Sequence, residues 1–508
     1  MDGQREIIDF LSDGASYERP GTIVERMETH ISIIFLVEDL AYKLKRSIWF
    51  SYLDYSTPAL REQYCRAELA LNRRTAPTLY RRVRTITREA GGSLAFDGEG
   101  IAVEWVVEMH RFSQDDLFDQ LARAGKLTPI LMRDLGDAIA AFHGAAETTF
   151  YHGGRAGTEE TIVGNHLNLV AVSSLLDRGL IDALHAASMT TLAAVGPLLD
   201  RRRDGGKVRR CHGDLHLRNV CLVDGHPTPF DCIEFSDALS CIDVLYDLAF
   251  LLMDLEHLNL RALASITFNR YLDISGDIGG LLAFPLFLSM RAAVRAHVLV
   301  TQGRQNLMAS PPDEACSYLT LAVGLLHAHP PRLIAIGGLS GAGKSSLAQA
   351  LASDFRPAPG ARVIRSDVIR KRLFDAAPET RLSPTAYGKE TTQRVYHGLC
   401  DQASATLAVG YTAVADATFL HEEERDAIAA VARRAGVPFL GLWLEVPPDV
   451  LAARIATRRH DASDADRAIL ERQLESSRSN IDWHRIDGGA DITTVLAAAR
   501  KVIALDML

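Results

Sequence analysis

Leu333-Ile-Ala-Ile-Gly-Gly338-Leu-Ser340-Gly341-Ala342-Gly343-Lys344-Ser345-Ser346 decides how the second part of this chain folds. Residues 338 to 345 match G-x-x-x-x-G-K-[ST] in full. An apolar run at 333 to 338 reads as a buried strand before the motif, and residues 346 to 355 read as a helix after it. The glycines let main-chain N–H groups turn inward around phosphates, and the dipole of the following helix favours an anion. Gly338, Ser340, Gly341, Ala342, Gly343, Lys344, Ser345 and Ser346 are therefore the expected nucleotide-binding residues. Lys344 reaches the terminal phosphates, and the Ser345 hydroxyl suits a magnesium ion. Strand and helix patterns alternate from Leu333 onwards, which predicts an α/β P-loop domain with a parallel sheet.

Working outward, residues 361 to 365 read as the next strand, ending in Ser366-Asp367 with Arg370 one helical turn on. The end of the adjacent strand in a P-loop sheet faces the γ-phosphate. Asp367 can there accept the proton of an attacking hydroxyl, and Arg370 can hold an anionic substrate or the moving phosphoryl group. Aspartate is also a favoured helix N-cap, and the two roles can coexist. A third strand, 411 to 415, ends at Asp416, placed to stand behind the metal ion or else to pack or touch substrate. After a fourth strand at 442 to 445, a helix carries Arg454, Arg458 and Arg459 ahead of the loop HDASDAD. Arginines at this spacing share a face, which serves either as a lid over the phosphates or as a solvated face paired with acids.

Upstream, HAHPPR at 327 to 332 joins a helical pattern to the P-loop strand. Proline stops a helix and is excluded from central strands, so this is a linker between domains at 1–326 and 333–508. Residues 30 to 50 read as two strands with a turn at Glu38-Asp39, 59 to 75 as a helix, and 101 to 108 as a strand. The pattern from about 114 to 326 is mostly helical, with a strand-rich insert between Val208 and Phe235.

That insert holds His212-Gly213-Asp214-Leu-His216-Leu-Arg-Asn219 and, beyond a hairpin turning at Asp224-Gly225, Phe230-Asp231-Cys-Ile-Glu234. A kinase catalytic loop needs an aspartate to receive the hydroxyl proton and an asparagine five residues on to hold magnesium; Asp214 and Asn219 have that spacing. Asp231 takes the place of the second metal-binding aspartate. His216 is read evenly as a substrate contact or a packed ring.

On these residues the first part resembles the aminoglycoside phosphotransferase and choline kinase branch of the protein-kinase fold. The resemblance implies an α+β two-lobed domain, with a small lobe at about 1–110 and a helical lobe at about 111–326. It implies that a lysine of Ala41-Tyr42-Lys43-Leu44-Lys45 grips the α- and β-phosphates. Lys43 is the preferred residue, with Lys45 on the same side of the strand as the alternative. Glu68 would pair with that lysine, Met109 would lie at the adenine hinge, and Asp243 and Asp247 would form structural hydrogen bonds. No G-x-G-x-x-G precedes Lys43. The second part resembles the P-loop small-molecule kinases related to zeta toxins, chloramphenicol phosphotransferase, gluconate kinase and polynucleotide 5′-kinases. That resemblance implies transfer to a hydroxyl with Asp367 as base.

Composition narrows the function classes. The 508 residues carry a formal net charge of -9, which disfavours a nucleic-acid-coating surface. Basic clusters at Arg73-Arg74, Arg81-Arg82-Arg84 and Arg201-Arg202-Arg203 read as solvated faces. Seven cysteines without a Cys-x-x-Cys pair point to a reducing compartment. The N-terminus has no secretory pattern, and the apolar run at 279 to 290 reads as a buried core helix, so the expected location is the cytoplasm. The expectation is a bifunctional phosphotransferase using ATP and Mg2+ on small-molecule hydroxyl acceptors, with nucleic acid disfavoured and no membrane partner; the alternative is that one domain is a nucleotide-binding sensor regulating the other, with the P-loop domain acting on nucleic-acid ends or nucleotide-sugars.

Overall fold

Alternating β-branched and aromatic residues between 25 and 110 build an antiparallel sheet. Among the described residues its strands lie in the order Glu25–Glu28, Ser32–Val37, Leu40–Lys45, Ile101–His110, Tyr80–Arg88, Leu94–Phe96. The structure is a computed structural model and describes residues 4–50, 52–305, 312–457, 463–464, 467–476 and 481–506. Ser32–Val37 and Leu40–Lys45 form the expected hairpin, with Glu38 taking the left-handed conformation in its turn. Both faces of the sheet are buried. Phe35, Leu44 and Val106 face one core, while Ala41, Trp105, Val107 and Met109 face the other together with Cys65 of helix Pro58–Asn72.

Helix Pro58–Asn72 starts where its sequence says it should. Thr57 accepts a hydrogen bond from the Leu60 N–H, and Pro58 follows with no N–H to leave unpaired. Its register on the sheet is fixed by Arg61, whose Nε lies 2.9 Å from both carboxylate oxygens of Glu104, itself buried in strand Ile101–His110.

The chain divides into two compact units, Met1–Asn165 with Leu192–Asp254, and His166–Thr191 with Leu255–Leu508. The second contains a wholly parallel sheet in the order Arg362–Arg365, Ala413–Asp416, Leu333–Gly338, Phe439–Glu445, His484–Asp487. Its central strand, LIAIGG, is buried at every position, as a strand covered on both faces must be. The linker at 327–332 does not coincide with this division. Helices Arg261–Ser275, Phe284–Gln305 and Pro312–Gly324 lie before the prolines, yet pack into the unit that holds the parallel sheet. Prolines end a helix; they do not decide which core it joins.

One stretch, Gly279–Thr301, is long and apolar enough to cross a bilayer, and 72% of its most apolar window is buried inside the structure. Several basic residues read as solvated have partners instead. Arg74 donates to the C=O groups of Arg210 and Cys211, Arg81 and Arg82 pair with the buried Glu108, and Arg202 is buried against Asp243. A count of nearby like charges does not reveal carboxylates distant in sequence.

Replacing Arg61 by Met would leave Glu104 buried without its cation. We predict a loss of about 3–5 kcal/mol, read as the opening free energy of the slowest-exchanging amides of strand Ile101–His110.

Candidate active sites

In the first unit the loop that carries His212, Asp214 and Asn219 is shaped from behind by Asp247. Its carboxylate accepts the His212 and Gly213 N–H groups at 3.0 and 2.9 Å and lies 3.1 Å from His143 Nε2. This is the structural role expected of Asp247, and Asp243 has the same kind of role beneath Arg202. Gly213 turns through φ 84°, where a Cβ would lie 2.9 Å from the Leu239 carbonyl, so only glycine fits. The His212 ring is pinned between the Asp214 N–H at Nδ1 and the Phe230 carbonyl at Nε2, and burial pushes its pKa down. It therefore orders the loop as a neutral ring.

Asp214 is left with its carboxylate partly exposed, at 39%. Asn219 Nδ2 donates to both the Asp214 carboxylate and its main-chain carbonyl, at 2.9 Å each. His216 Nε2 stands 3.3 Å from Asp214, and its ring packs edge-on against Phe250, as the packed-ring reading expects. Hairpin Val220–Val223 with His226–Pro229 turns at Asp224-Gly225 as expected, and Phe230 N–H bonds back to the Asn219 carbonyl. The hairpin thereby returns the chain to Asp231 beside the loop.

Asp231 takes the left-handed conformation, φ 61°, one that Asp tolerates better than most residues. Tyr80 OH receives its N–H, and Asn72 receives the N–H of Cys232. Lys43 Nζ lies 2.8 Å from Glu68 and 2.5 Å from Asp231. Lys45 Nζ lies 2.6 Å from the other oxygen of Glu68 and also bonds Glu234, which accepts from Tyr55 OH as well. The two lysines thus form a pair: Lys43 turns to Asp231, the aspartate expected at a metal ion, and Lys45 to Glu234. Burial opposes ionisation of Glu68, but the two ammonium groups hold its carboxyl well below the ordinary range. Lys45 is likewise held charged against burial by Glu234 and Glu68. Glu234 and Tyr55 were not legible as site residues, because neither stands at a diagnostic spacing from the lysines. Met109 sits near the end of strand Ile101–His110, buried, with Ala41 and Tyr80 opposite it.

In the second unit, Gly341 and Gly343 have φ 88° and 91°, and Gly343 caps helix Lys344–Ala352. A Cβ on Gly341 would meet the Leu451 carbonyl at 3.0 Å. Ala342 is buried inside this turn, and Ser346 opens outward on the first helical turn. The Ser340 N–H is held by Gln473, and Lys344 Nζ donates to the Leu339 carbonyl at 3.0 Å. A Cβ on Gly338, which has φ 141°, would stand 2.9 Å from the Leu444 carbonyl oxygen. Ser345 Oγ donates to the buried Asp416 at 2.6 Å, so the two residues expected at a metal ion meet directly.

Asp367 lies in the first turn of helix Ser366–Arg372, whose N-cap position is Arg365. The N-cap reading of Asp367 is therefore corrected, and so is the expected place of its strand next to the P-loop strand, because Ala413–Asp416 lies between Leu333–Gly338 and Arg362–Arg365. Burial raises its pKa and Asp416 adds to that, against the opposing pull of Arg365, Lys344 and Arg370. Arg370 is buried over the Tyr387 ring and donates to the Ala386 carbonyl at 2.8 Å. Arg454 donates to the carbonyls of Gly488, Gly489 and Ala490 and so binds the loop after the last strand. Arg458 and Arg459 lie outside the described residues. A cavity of about 190 Å3 is lined by Leu339, Trp443, Glu445 and Arg485 among others; Lys344 and Asp367 are not part of its wall.

Residues 107–283 match the phosphotransferase enzyme family, and residues 333–479 match an AAA domain. Uncharacterized proteins of Mycobacterium tuberculosis and Mycobacterium bovis are 28% identical over 501 residues, covering 94% of this chain and 95% of theirs. An adenylyl-sulfate kinase of Myxococcus xanthus is 31% identical over 117 residues, 23% of this chain and 59% of its own length. Among solved structures, a choline/ethanolamine kinase family protein from Mesorhizobium loti aligns with TM-score 0.38 and 14% identity over 61% of this chain and 89% of its own. A gluconokinase from Sinorhizobium meliloti aligns with TM-score 0.26 and 21% identity over 35% and 94%. The chain carries a phosphotransferase-family kinase-like domain followed by a P-loop kinase-like domain.

The Glu68 network has a pH signature. A carboxyl with a depressed folded pKa adds stability above its unfolded pKa, about 4.3 for Glu, and loses it as pH falls toward the folded value. Glu68→Gln should be less stable than wild type by about 3–5 kcal/mol at pH 7. Urea titrations from pH 7 to 3 should show that gap shrinking below about pH 4.3.

Proposed function

We propose that the chain is a bifunctional ATP-dependent phosphotransferase, moving the γ-phosphoryl of ATP to hydroxyl groups of small molecules at two separate sites. The observation that carries this reading is that each unit brings a lysine among carboxylates: Lys43 to Glu68 and Asp231 in the unit whose loop carries Asp214 and Asn219, and Lys344 to the neighbourhood of Asp367 beside the Ser345–Asp416 pair. Two complete sets of this kind are more than a nucleotide sensor requires.

In the first site, Lys43 is the residue that grips the α- and β-phosphates. Glu68, itself fixed by Lys45, holds it in place, and its present partner Asp231 is the carboxylate that a metal ion would engage. Asp214 accepts the acceptor's hydroxyl proton, with Asn219 fixing the orientation of its carboxylate. In the second site the main-chain N–H groups of 339–345 and the helix N-terminus take the phosphates, Lys344 follows the transferring group, and Asp367 is the base. A base with a raised pKa is well matched to a proton transfer near neutrality.

The donor sets fit magnesium. Asn219 and Asp231 in one site, and Ser345 with Asp416 behind it in the other, offer the oxygen ligands that a hard cation takes. Bound there, the ion supplies charge neutralisation of the β- and γ-phosphate oxygens. Water exclusion, orientation and proton acceptance fall to the side chains named above.

The adenylyl-sulfate kinase relative favours an anionic, nucleotide-like acceptor for the second site, where Arg365 and Arg370 flank Asp367. We place the reaction in the cytoplasm, since all seven cysteines are unpaired. The acidic charge balance disfavours nucleic acid as the acceptor.

A screen of sugars, aminoglycosides, nucleosides, nucleotides and 5′-hydroxyl oligonucleotides with γ-labelled ATP tests the reading. Asp214→Ala should remove one class of product and Asp367→Ala another, each lowering its own rate by about 10²–10⁴-fold. If one substitution removed all phosphotransfer, the bifunctional reading would fail. Label appearing on the oligonucleotides would replace the small-molecule acceptor by a nucleic-acid end.

A further inference from the structure

Strand Arg362–Arg365, which leads directly to Asp367, is the outer strand of the parallel sheet. Its inner side pairs with Ala413–Asp416; an outer side left bare would present unpaired main-chain groups. Helix Arg261–Ser275 fills that place with one side chain. Asn269 Nδ2 donates to the Ala361 carbonyl at 3.1 Å, and Asn269 Oδ1 accepts the Val363 N–H at 2.8 Å. The amide thus supplies the donor and the acceptor that a neighbouring strand would have supplied. Arg362, 2% exposed, points into the same helix, 3.2 Å from the Asn269 carbonyl and 2.6 Å from Asp273.

The other end of the segment is tied to the same helix. Helix Ser366–Arg372 finishes at Arg372, whose Nη2 donates to the carbonyls of Leu272 and Ile274 at 3.3 and 3.1 Å. Those carbonyls belong to the last turn of Arg261–Ser275, where a guanidinium satisfies orphan acceptors and meets the negative end of the dipole. Gly276 closes the turn at φ 66°, and a Cβ there would stand 3.3 Å from Arg372 Nη2. Arg270 pairs with Glu379 just beyond, and Phe268 stacks on Tyr411, ahead of the strand that ends at Asp416.

We propose that helix 261–275 is a positioning element of the second site, with Asn269 and Arg372 fixing the two ends of the 362–372 segment that presents Asp367 and Arg370. The helix lies within residues 107–283, the span matching the phosphotransferase family, and outside 333–479, the span matching the AAA domain. The P-loop site is then completed by residues that its own family segment does not contain. Its motif residues alone are not a separable enzyme. Because the 362–372 segment lines one wall of the phosphoryl-transfer site and the P-loop another, loosening the clamp should affect turnover far more than nucleotide affinity. The positioning claim rests on reading Asp367 as the base; the existence of the clamp does not.

The test uses the full chain in an Asp214→Ala background, so that turnover reports the second site. Asn269→Leu keeps the volume and removes both hydrogen bonds; Arg372→Ala and Arg372→Lys probe the other end. Amide hydrogen exchange should accelerate about tenfold or more across 363–372 in Asn269→Leu, with strands 333–338 and 439–445 unchanged. Magnesium ATP should bind within about threefold of the parent affinity, while ADP formation with the acceptor mixture of the screen falls about tenfold or more with unchanged KM for ATP. Arg372→Lys should retain more activity than Arg372→Ala. Exchange accelerating throughout the second unit, or unchanged turnover despite a loosened 363–372, would overturn the positioning claim. Asp367→Asn separates the two layers: if it turns over normally, the base assignment falls, and the exchange pattern alone decides whether the clamp exists.

Discussion

Two buried lysines share one buried glutamate, and the geometry of the first site follows from the cost of separating them. Glu68 has no solvent contact, and each of its oxygens faces a different ammonium group. Removing any one of the three charges would leave the others in a medium that penalises unpaired ions by several kcal/mol. The lysine strand, helix Pro58–Asn72 and the Asp231–Glu234 segment are therefore locked to a common point. Arg61 and Glu104 repeat the device further along the same helix. The strain at Asp231 is sustained because Tyr80 and Asn72 hold the main chain on either side of it.

The second site solves the same problem with backbone rather than side-chain charge. Glycines at 341 and 343 let the loop close on itself, and the N-terminus of helix Lys344–Ala352 supplies the positive end of a dipole. Asp416 ends the strand beside the P-loop strand, and Asp367 follows the outer strand one place further on, in the first turn of its helix. A parallel sheet delivers strand ends to one edge without further instruction; what it does not supply is a partner for its outermost strand. Asn269 meets that need from a helix that precedes the linker.

How much of this was legible in the sequence depended on the range of the interaction. The P-loop turn, the Asp214–Asn219 spacing and the hairpin at Asp224-Gly225 are local, and their chemistry follows from neighbours a few residues apart. The fold class of both parts was readable for the same reason. The Lys43/Lys45 choice could not be made from the strand alone, because period-2 geometry puts both on one face. Only their distant partners tell the two apart, Asp231 for Lys43 and Glu234 for Lys45, the latter 189 residues away in sequence. Arg370 and Arg454 looked like free cations by spacing, yet each is engaged by main-chain carbonyls that no pattern announces. The linker prolines marked a break in secondary structure correctly and gave no information about which core the preceding helices join.

On the proposed function, one chain holds two ATP sites of different construction. Calorimetric titration of the full chain with magnesium and a non-hydrolysable ATP analogue measures this directly. Two molecules should bind per chain, with Lys43→Met removing one and Lys344→Ala the other. A single binding event that survives either substitution alone, or none at millimolar ligand, would contradict it.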